Sequence, residues 1–129
     1  WLVEMALEEE DLPRPLFRVK KPTFADNDDF DLTVFDQRFD YVLISDVFVH
    51  AADRQIRDTL TSLPLALAPG GICVVDVRPP GLHYDGEDWL YPQVAYHSRR
   101  CLEQPAEEVG LRCRPLGFIG RNDWFILRR

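Results

Sequence analysis

The chain has 129 residues, enough for one domain with a real core and too few for two. Its net charge of −7, with only Lys20-Lys21 and scattered arginines as positive charge, excludes a phosphate-tracking nucleic-acid surface. It contains no apolar run of about eighteen residues, so no membrane span is expected. Its three cysteines, Cys73, Cys101 and Cys113, show no C-x-x-C spacing, which points away from a disulfide framework or a zinc site and towards a reducing cytoplasm.

Residues 1–10 are helix formers with a charged end, read as the tail of a helix that Pro13 and Pro15 terminate. The 17–25 segment alternates apolar and polar residues and predicts a short strand near Thr23-Phe24, followed by an Asp26-Asn27-Asp28-Asp29 loop. Residues 39–45 enclose the unbroken apolar run Val42-Leu43-Ile44, the pattern of a strand covered on both faces. Asp53 reads as a helix N-cap. Ile56, Leu60, Leu63 and Leu67 then mark one face of a helix, which Pro64 should kink or shorten. Pro69-Gly70-Gly71 should stop it as a turn before a second buried strand over 72–77, in which Cys73 is a small hydrophobe.

Residues 79–97 are rich in Pro, Gly and aromatics without periodicity, the composition of a functional loop or lid. Ser98 can cap a helix that runs to Val109 and closes at Gly110, with Pro105 inside it. Strands over 111–119 and 124–127 should pair antiparallel through a Gly120-Arg121-Asn122-Asp123 turn.

The motif Phe39-Asp40-Tyr41-Val42-Leu43-Ile44-Ser45-Asp46-Val47-Phe48-Val49-His50, followed by Leu67-Ala68-Pro69-Gly70-Gly71 and a hairpin ending Trp124-Phe125-Ile126-Leu127-Arg128-Arg129, resembles the later part of class I S-adenosylmethionine-dependent methyltransferases. The resemblance implies an α/β fold: a partial Rossmann-like methyltransferase domain spanning 1–129, its mostly parallel sheet ending in an antiparallel hairpin. In the family order 3-2-1-4-5-7-6, Thr23-Phe24 would lie in strand 3, 39–45 in strand 4 and 72–77 in strand 5. Strands 6 and 7 would be 111–119 and 124–128. The family's first strand, with its Gly-rich cofactor loop, and its second, with the acidic residue for the ribose, have no counterpart in the chain. The expectation is therefore a fragment whose strand 4 has a bare edge and which needs the missing N-terminal part of its own domain.

The resemblance also implies S-adenosylmethionine as cofactor and a small-molecule oxygen or nitrogen acceptor. By position, Asp28 or Asp29 would accept from the adenine amine and Phe30 would cover the ring; the alternative is a solvated acidic turn. Ser45 and Asp46, at the carboxyl end of strand 4, would lie beside cofactor or substrate, or else cap a helix. His50 is the candidate general base for an acceptor that must lose a proton, or a loop-ordering histidine. Tyr84, Trp89 and Tyr96, with His83, Tyr91 and His97, would form an acceptor pocket or simply pack over the sheet. His50, His83 and His97 are too dispersed along the chain to suggest a metal site, and Asp40, at the other end of its strand, reads as structural. The rival to catalysis is a non-catalytic methyltransferase-like module that binds a partner. A nucleotide-dependent oxidoreductase half-domain is disfavoured by the terminal hairpin.

Overall fold

Helix α1 (Asp53–Ala66) places Ile56, Leu60 and Leu63 on one face, and all three are fully buried. At roughly 2 kcal/mol for each large aliphatic side chain removed from water, that face anchors the domain. The computed structural model describes residues 19, 21–79, 81 and 83–129. The expected N-terminal helix lies outside them.

The four described strands are β1 (Phe39–Ile44), β2 (Leu67–Val77), β3 (Arg112–Ile119) and β4 (Asn122–Arg128), in the spatial order β1-β2-β4-β3. The sheet is mixed. β1 and β2 run parallel, whereas β2–β4 and β3–β4 are antiparallel. This is the 4-5-7-6 half of the expected order. Helix α2 (Arg100–Glu108) packs with α1, and both share one core with the sheet face bearing Ile44, Cys73, Val75, Phe125 and Leu127.

Several local expectations are corrected. Thr23-Phe24 is not a strand. Residues 21–27 carry no regular structure, and none of the four strands pairs with them. Alternation of apolar and polar residues alone does not make a strand, since strand preference depends on the tertiary context. Nor is β1 covered on both faces among the described residues. Both helices lie on the Ile44 side, which leaves Tyr41 78% and Leu43 68% exposed.

Asp53 is the first residue of α1, not its cap. Ala52 holds the cap position, and the Gln55 side chain reaches back to accept the Ala52 N–H at 2.8 Å. Pro64 sits in the last turn on the buried face, where the helix has only two residues left to run, so it does not shorten it. Ser98 makes no side-chain cap either; Arg99 is the cap residue of α2. Pro105 is buried within α2. The C-terminus of α2 meets the expectation: Gly110 takes a φ of 77°, and the Gly110 and Leu111 N–H groups close onto Glu107 and Ala106 carbonyls.

Pro69-Gly70-Gly71 is not a free turn but a bulge inside β2. Phe39 pairs with Leu67 and Tyr41 with Ile72, so two steps along β1 match five along β2. Gly71 is required there, because a Cβ would lie 2.7 Å from the Phe39 carbonyl oxygen. The hairpin turn shrinks to Gly120-Arg121, and Asn122 and Asp123 become buried residues of β4.

Candidate functional site

In open α/β sheets ligands bind beyond the carboxyl ends of the parallel strands. Here that edge follows Ile44 and Val77. A cleft of about 250 Å³ opens beside it, lined by Asn27, Phe30, Leu32, Leu43, Val47 and Phe48, among others. Its walls are mostly apolar. The Leu32 N–H donates to Ser62 Oγ at 3.0 Å, which ties the 27–36 segment to α1.

The acidic loop forms its own turn. Asp29 Oδ1 accepts from Asn27 Nδ2 at 2.7 Å and from the Asp31 N–H at 3.0 Å. That backbone bond, then the Asn27 amide, holds the Asp29 carboxyl below its usual range. Asp31 caps the 3-10 turn Leu32–Phe35 by accepting from the Thr33 N–H. Asp28 and Asp29 are exposed and do not line the cleft. Phe30 does, and it has a left-handed φ of 61°. Asn27, which the sequence reading passed over, lines it too.

Ser45 is exposed at the end of β1. Asp46 also has a positive φ, 54°, a sparsely populated conformation for a non-glycine residue. Asp76 over-determines it. This fully buried carboxylate accepts the Asp46 N–H at 2.9 Å and Asn122 Nδ2 at 2.7 Å, and the same amide reaches Asp46 Oδ1 at 3.0 Å. Asp46 therefore has one carboxylate oxygen tied to the protein. Asp76 and Asn122 carried no sequence signal, one lying inside an apolar strand run and the other in an apparent turn.

The structure brings Phe30, His50 and Trp89 together from three separate stretches. Trp89 lies 6.0 Å from the Phe30 ring and 5.6 Å from the His50 ring, and Tyr91 stands edge-on to His50 at 5.2 Å. His50 Nδ1 is 2.6 Å from the Gln93 carbonyl oxygen. A carbonyl only accepts, so Nδ1 carries the proton and the neutral ring keeps its lone pair on Nε2. His50 thus orders the loop with one nitrogen and leaves the other available to accept a proton. The loop is held by main chain as well: the Leu90 N–H donates to the His50 carbonyl and the Ala95 N–H to that of Val49, both at 2.8 Å.

Tyr84 and Tyr96 form a second group. The Tyr84 N–H donates to the Tyr96 carbonyl at 3.0 Å, and the Tyr84 hydroxyl to that of Asp88 at 2.9 Å. The same end of the loop draws His83 and His97 to Asp53 and Cys101, whereas His50 stays apart. Burial pushes the His97 ionisation down, opposed by the Asp53 carboxylate, and burial pushes the Cys101 thiol up. Among the described residues no helix is long and apolar enough to cross a membrane.

No protein-family model and no curated protein matches the chain. Solved structures do. An O-methyltransferase family protein from Burkholderia thailandensis is similar with a TM-score of 0.65 at 16% identity, over 90% of this chain and 39% of its own. The glycopeptide N-methyltransferase MtfA complexed with S-adenosylmethionine has a TM-score of 0.67 at 13% identity, over 98% and 71%. Human N-acetylserotonin methyltransferase in complex with S-adenosylmethionine has a TM-score of 0.60 at 15% identity, over 82% and 33%. The chain thus spans between a third and seven-tenths of the length of these structures. The likeness establishes the fold: a partial class I methyltransferase sheet with its antiparallel C-terminal hairpin.

Proposed function

We propose that the chain is part of a domain that transfers a methyl group from S-adenosylmethionine to a small-molecule oxygen or nitrogen. The observation that carries this reading is the meeting of Phe30, His50 and Trp89 beside the apolar cleft at the carboxyl end of β1. The cleft's apolar walls fit a flat heteroaromatic base. Phe30 would cover the ring, and Asn27 would offer its amide oxygen as an acceptor, its NH2 being held by Asp29 Oδ1 and the Asp31 carbonyl.

The cofactor supplies an electrophilic methyl on a sulfonium centre, so alignment of the acceptor does most of the catalytic work. Trp89 and Tyr91 would orient the acceptor, together with the Tyr84–Tyr96 group further along the loop. His50, with Nδ1 pinned to Gln93, would take the acceptor's proton on Nε2. Ser45 would flank the cofactor from the end of β1. Asp46 would do so through its free oxygen, its backbone fixed by Asp76.

The test is cofactor binding followed by turnover. Calorimetry with S-adenosylmethionine should give saturable binding to the protein, weakened by Phe30→Ala. A folded protein that does not bind the cofactor would overturn the reading. The exposure of Tyr41 and Leu43 on one face of β1 favours a second reading, a non-catalytic module that buries this face against a partner. Cofactor binding separates the two.

A further inference from the structure

Four side chains that play no part in the proposed methyl transfer converge at the base of the 79–97 loop. Asp53 opens α1, His83 and His97 sit near the two ends of the loop, and Cys101 lies in the first turn of α2. Their ligand atoms all fall within 4.8 Å of one another. Asp53 Oδ1 is 3.0 Å from His97 Nδ1, and Asp53 Oδ2 is 3.3 Å from His83 Nε2 and 3.5 Å from Cys101 Sγ. A tetrahedral zinc centre with bonds of about 2.0–2.3 Å sets its ligand atoms about 3.3–3.6 Å apart. Small side-chain rotations would close the set to that geometry.

His97 supplies an independent sign. Its side chain is fully buried, and Nε2 donates to the Ala51 carbonyl at 2.9 Å. The neutral ring therefore carries a lone pair on Nδ1. That nitrogen has no hydrogen-bond partner and faces a carboxylate oxygen 3.0 Å away. A lone pair on a buried ring, set 3.0 Å from an oxygen of the half-exposed Asp53 carboxylate, calls for a proton or a metal cation between them, and His83 and Cys101 complete a ligand set for the metal. A backbone carbonyl holding the far nitrogen of an imidazole is also the usual outer support of a metal-bound histidine.

We propose that Asp53, His83, His97 and Cys101 form a four-ligand site for a divalent transition cation of the zinc type. The ligand set, two imidazoles, a thiolate and a carboxylate, suits zinc and leaves no open position, which marks a structural site. The carboxylate and thiolate neutralise the dication. They also offset the two helix N-termini, whose dipoles oppose a positive charge. The rival arrangement, a thiol nucleophile relayed through His83 to Asp53, fits less well. Cys101 Sγ lies 4.0 Å from His83 Nδ1 but 3.5 Å from the carboxylate, so a thiolate would face a negative charge rather than an imidazolium. Bound metal would staple both ends of the loop to the two helices and so fix the frame that carries Trp89 and Tyr91.

Calorimetric titration of the metal-free protein with Zn²⁺, without cofactor or acceptor, tests this independently of the methyl-transfer reading. One equivalent should bind. Co²⁺ in its place should give the intense visible bands of a four-coordinate site and a thiolate charge-transfer band. Cys101→Ser should abolish the charge-transfer band. His83→Ala, at a side chain 41% exposed and outside the core, should weaken Zn²⁺ binding by more than the ~10–100-fold typical of losing an outer partner. Cys113→Ser should change neither. No saturable binding, a six-coordinate cobalt spectrum, or Zn²⁺ affinity in the His83→Ala and Cys101→Ser proteins equal to that of the parent (adventitious binding only) would overturn the site.

Discussion

The carboxylate of Asp76 holds the backbone of Asp46: one oxygen accepts the Asp46 N–H at 2.9 Å while the other takes the Asn122 amide at 2.7 Å. The bond crosses from β2 to the second residue after β1, so it sets the direction in which the chain leaves the sheet at the candidate site. Asp76→Ala would take the acceptor from the Asp46 N–H, on a residue in a left-handed conformation, and one of two acceptors from the Asn122 amide. The expected loss is about 3 kcal/mol, seen as a lower urea midpoint at unchanged slope. An unmoved midpoint would show that the pair contributes nothing.

Two adjacent glycines should respond differently. Gly71→Ala would put a Cβ against the Phe39 and Ala68 carbonyl oxygens, at 2.7 and 3.0 Å, and neither backbone can withdraw without breaking the β1–β2 pairing. A cost of about 2–3 kcal/mol is expected. Gly70→Ala meets open space and bears only its φ of 80°, at about 1 kcal/mol. Thermal unfolding of both variants checks the order, and the reverse order would contradict the close approach in the bulge.

His50→Ala separates anchoring from proton transfer. If Nε2 takes the acceptor's proton, the rate of methyl transfer to a hydroxyl should fall by about 10²–10⁴-fold while cofactor affinity is kept. A rate unchanged from the parent would leave the ring with its Gln93 bond alone.

The Asp29 turn should be acid-sensitive in one direction. Its folded pKa lies below the ordinary 3.8, so the turn contributes its stability in full above that value and loses it as pH falls through the depressed folded pKa. A carboxyl-carbon NMR titration should place the Asp29 midpoint below 3.8. A midpoint at or above it would mean that the Asp31 and Asn27 bonds are not made in solution.

Burial pushes the Cys73 and Cys113 thiols up to about 12. In Cys113 the Glu103 and Glu107 carboxylates add to the effect. Neither thiol should be alkylated quickly in the native protein at pH 8, and both should react once it is unfolded. Mass spectrometry of iodoacetamide-treated protein reads this directly, and rapid native labelling of Cys73 would count against its place in the core.

The elements that were legible in the sequence are those whose side chains repeat. The Val42–Ile44 and 72–77 runs fall in β1 and β2, and the Ile56, Leu60, Leu63 spacing gave the buried face of α1, whereas Leu67, expected on the same face, is the first residue of β2. What stayed hidden depends on partners far along the chain. Thr23-Phe24 alternates like a strand but pairs with none of the described ones. Asp53 has the composition of a cap, yet its side chain turns to two histidines that lie 30 and 44 positions away. Asp76 sits in an apolar run because its neighbours face the core while its own oxygens face the end of β1. An irregular segment such as 79–97 has no period from which the convergence of His83 and His97 could be read.

The loop bearing Trp89 and Tyr91 is seated through carbonyls and amides: Leu90 on His50, Ala95 on Val49, and the His97 ring on Ala51. The side chains at 89 and 91, both exposed, take no part in those bonds. They can be exchanged without unseating the segment that presents them. Evolution, or a protein engineer, can therefore rewrite what this rim recognises one aromatic at a time while the scaffold beneath is left untouched.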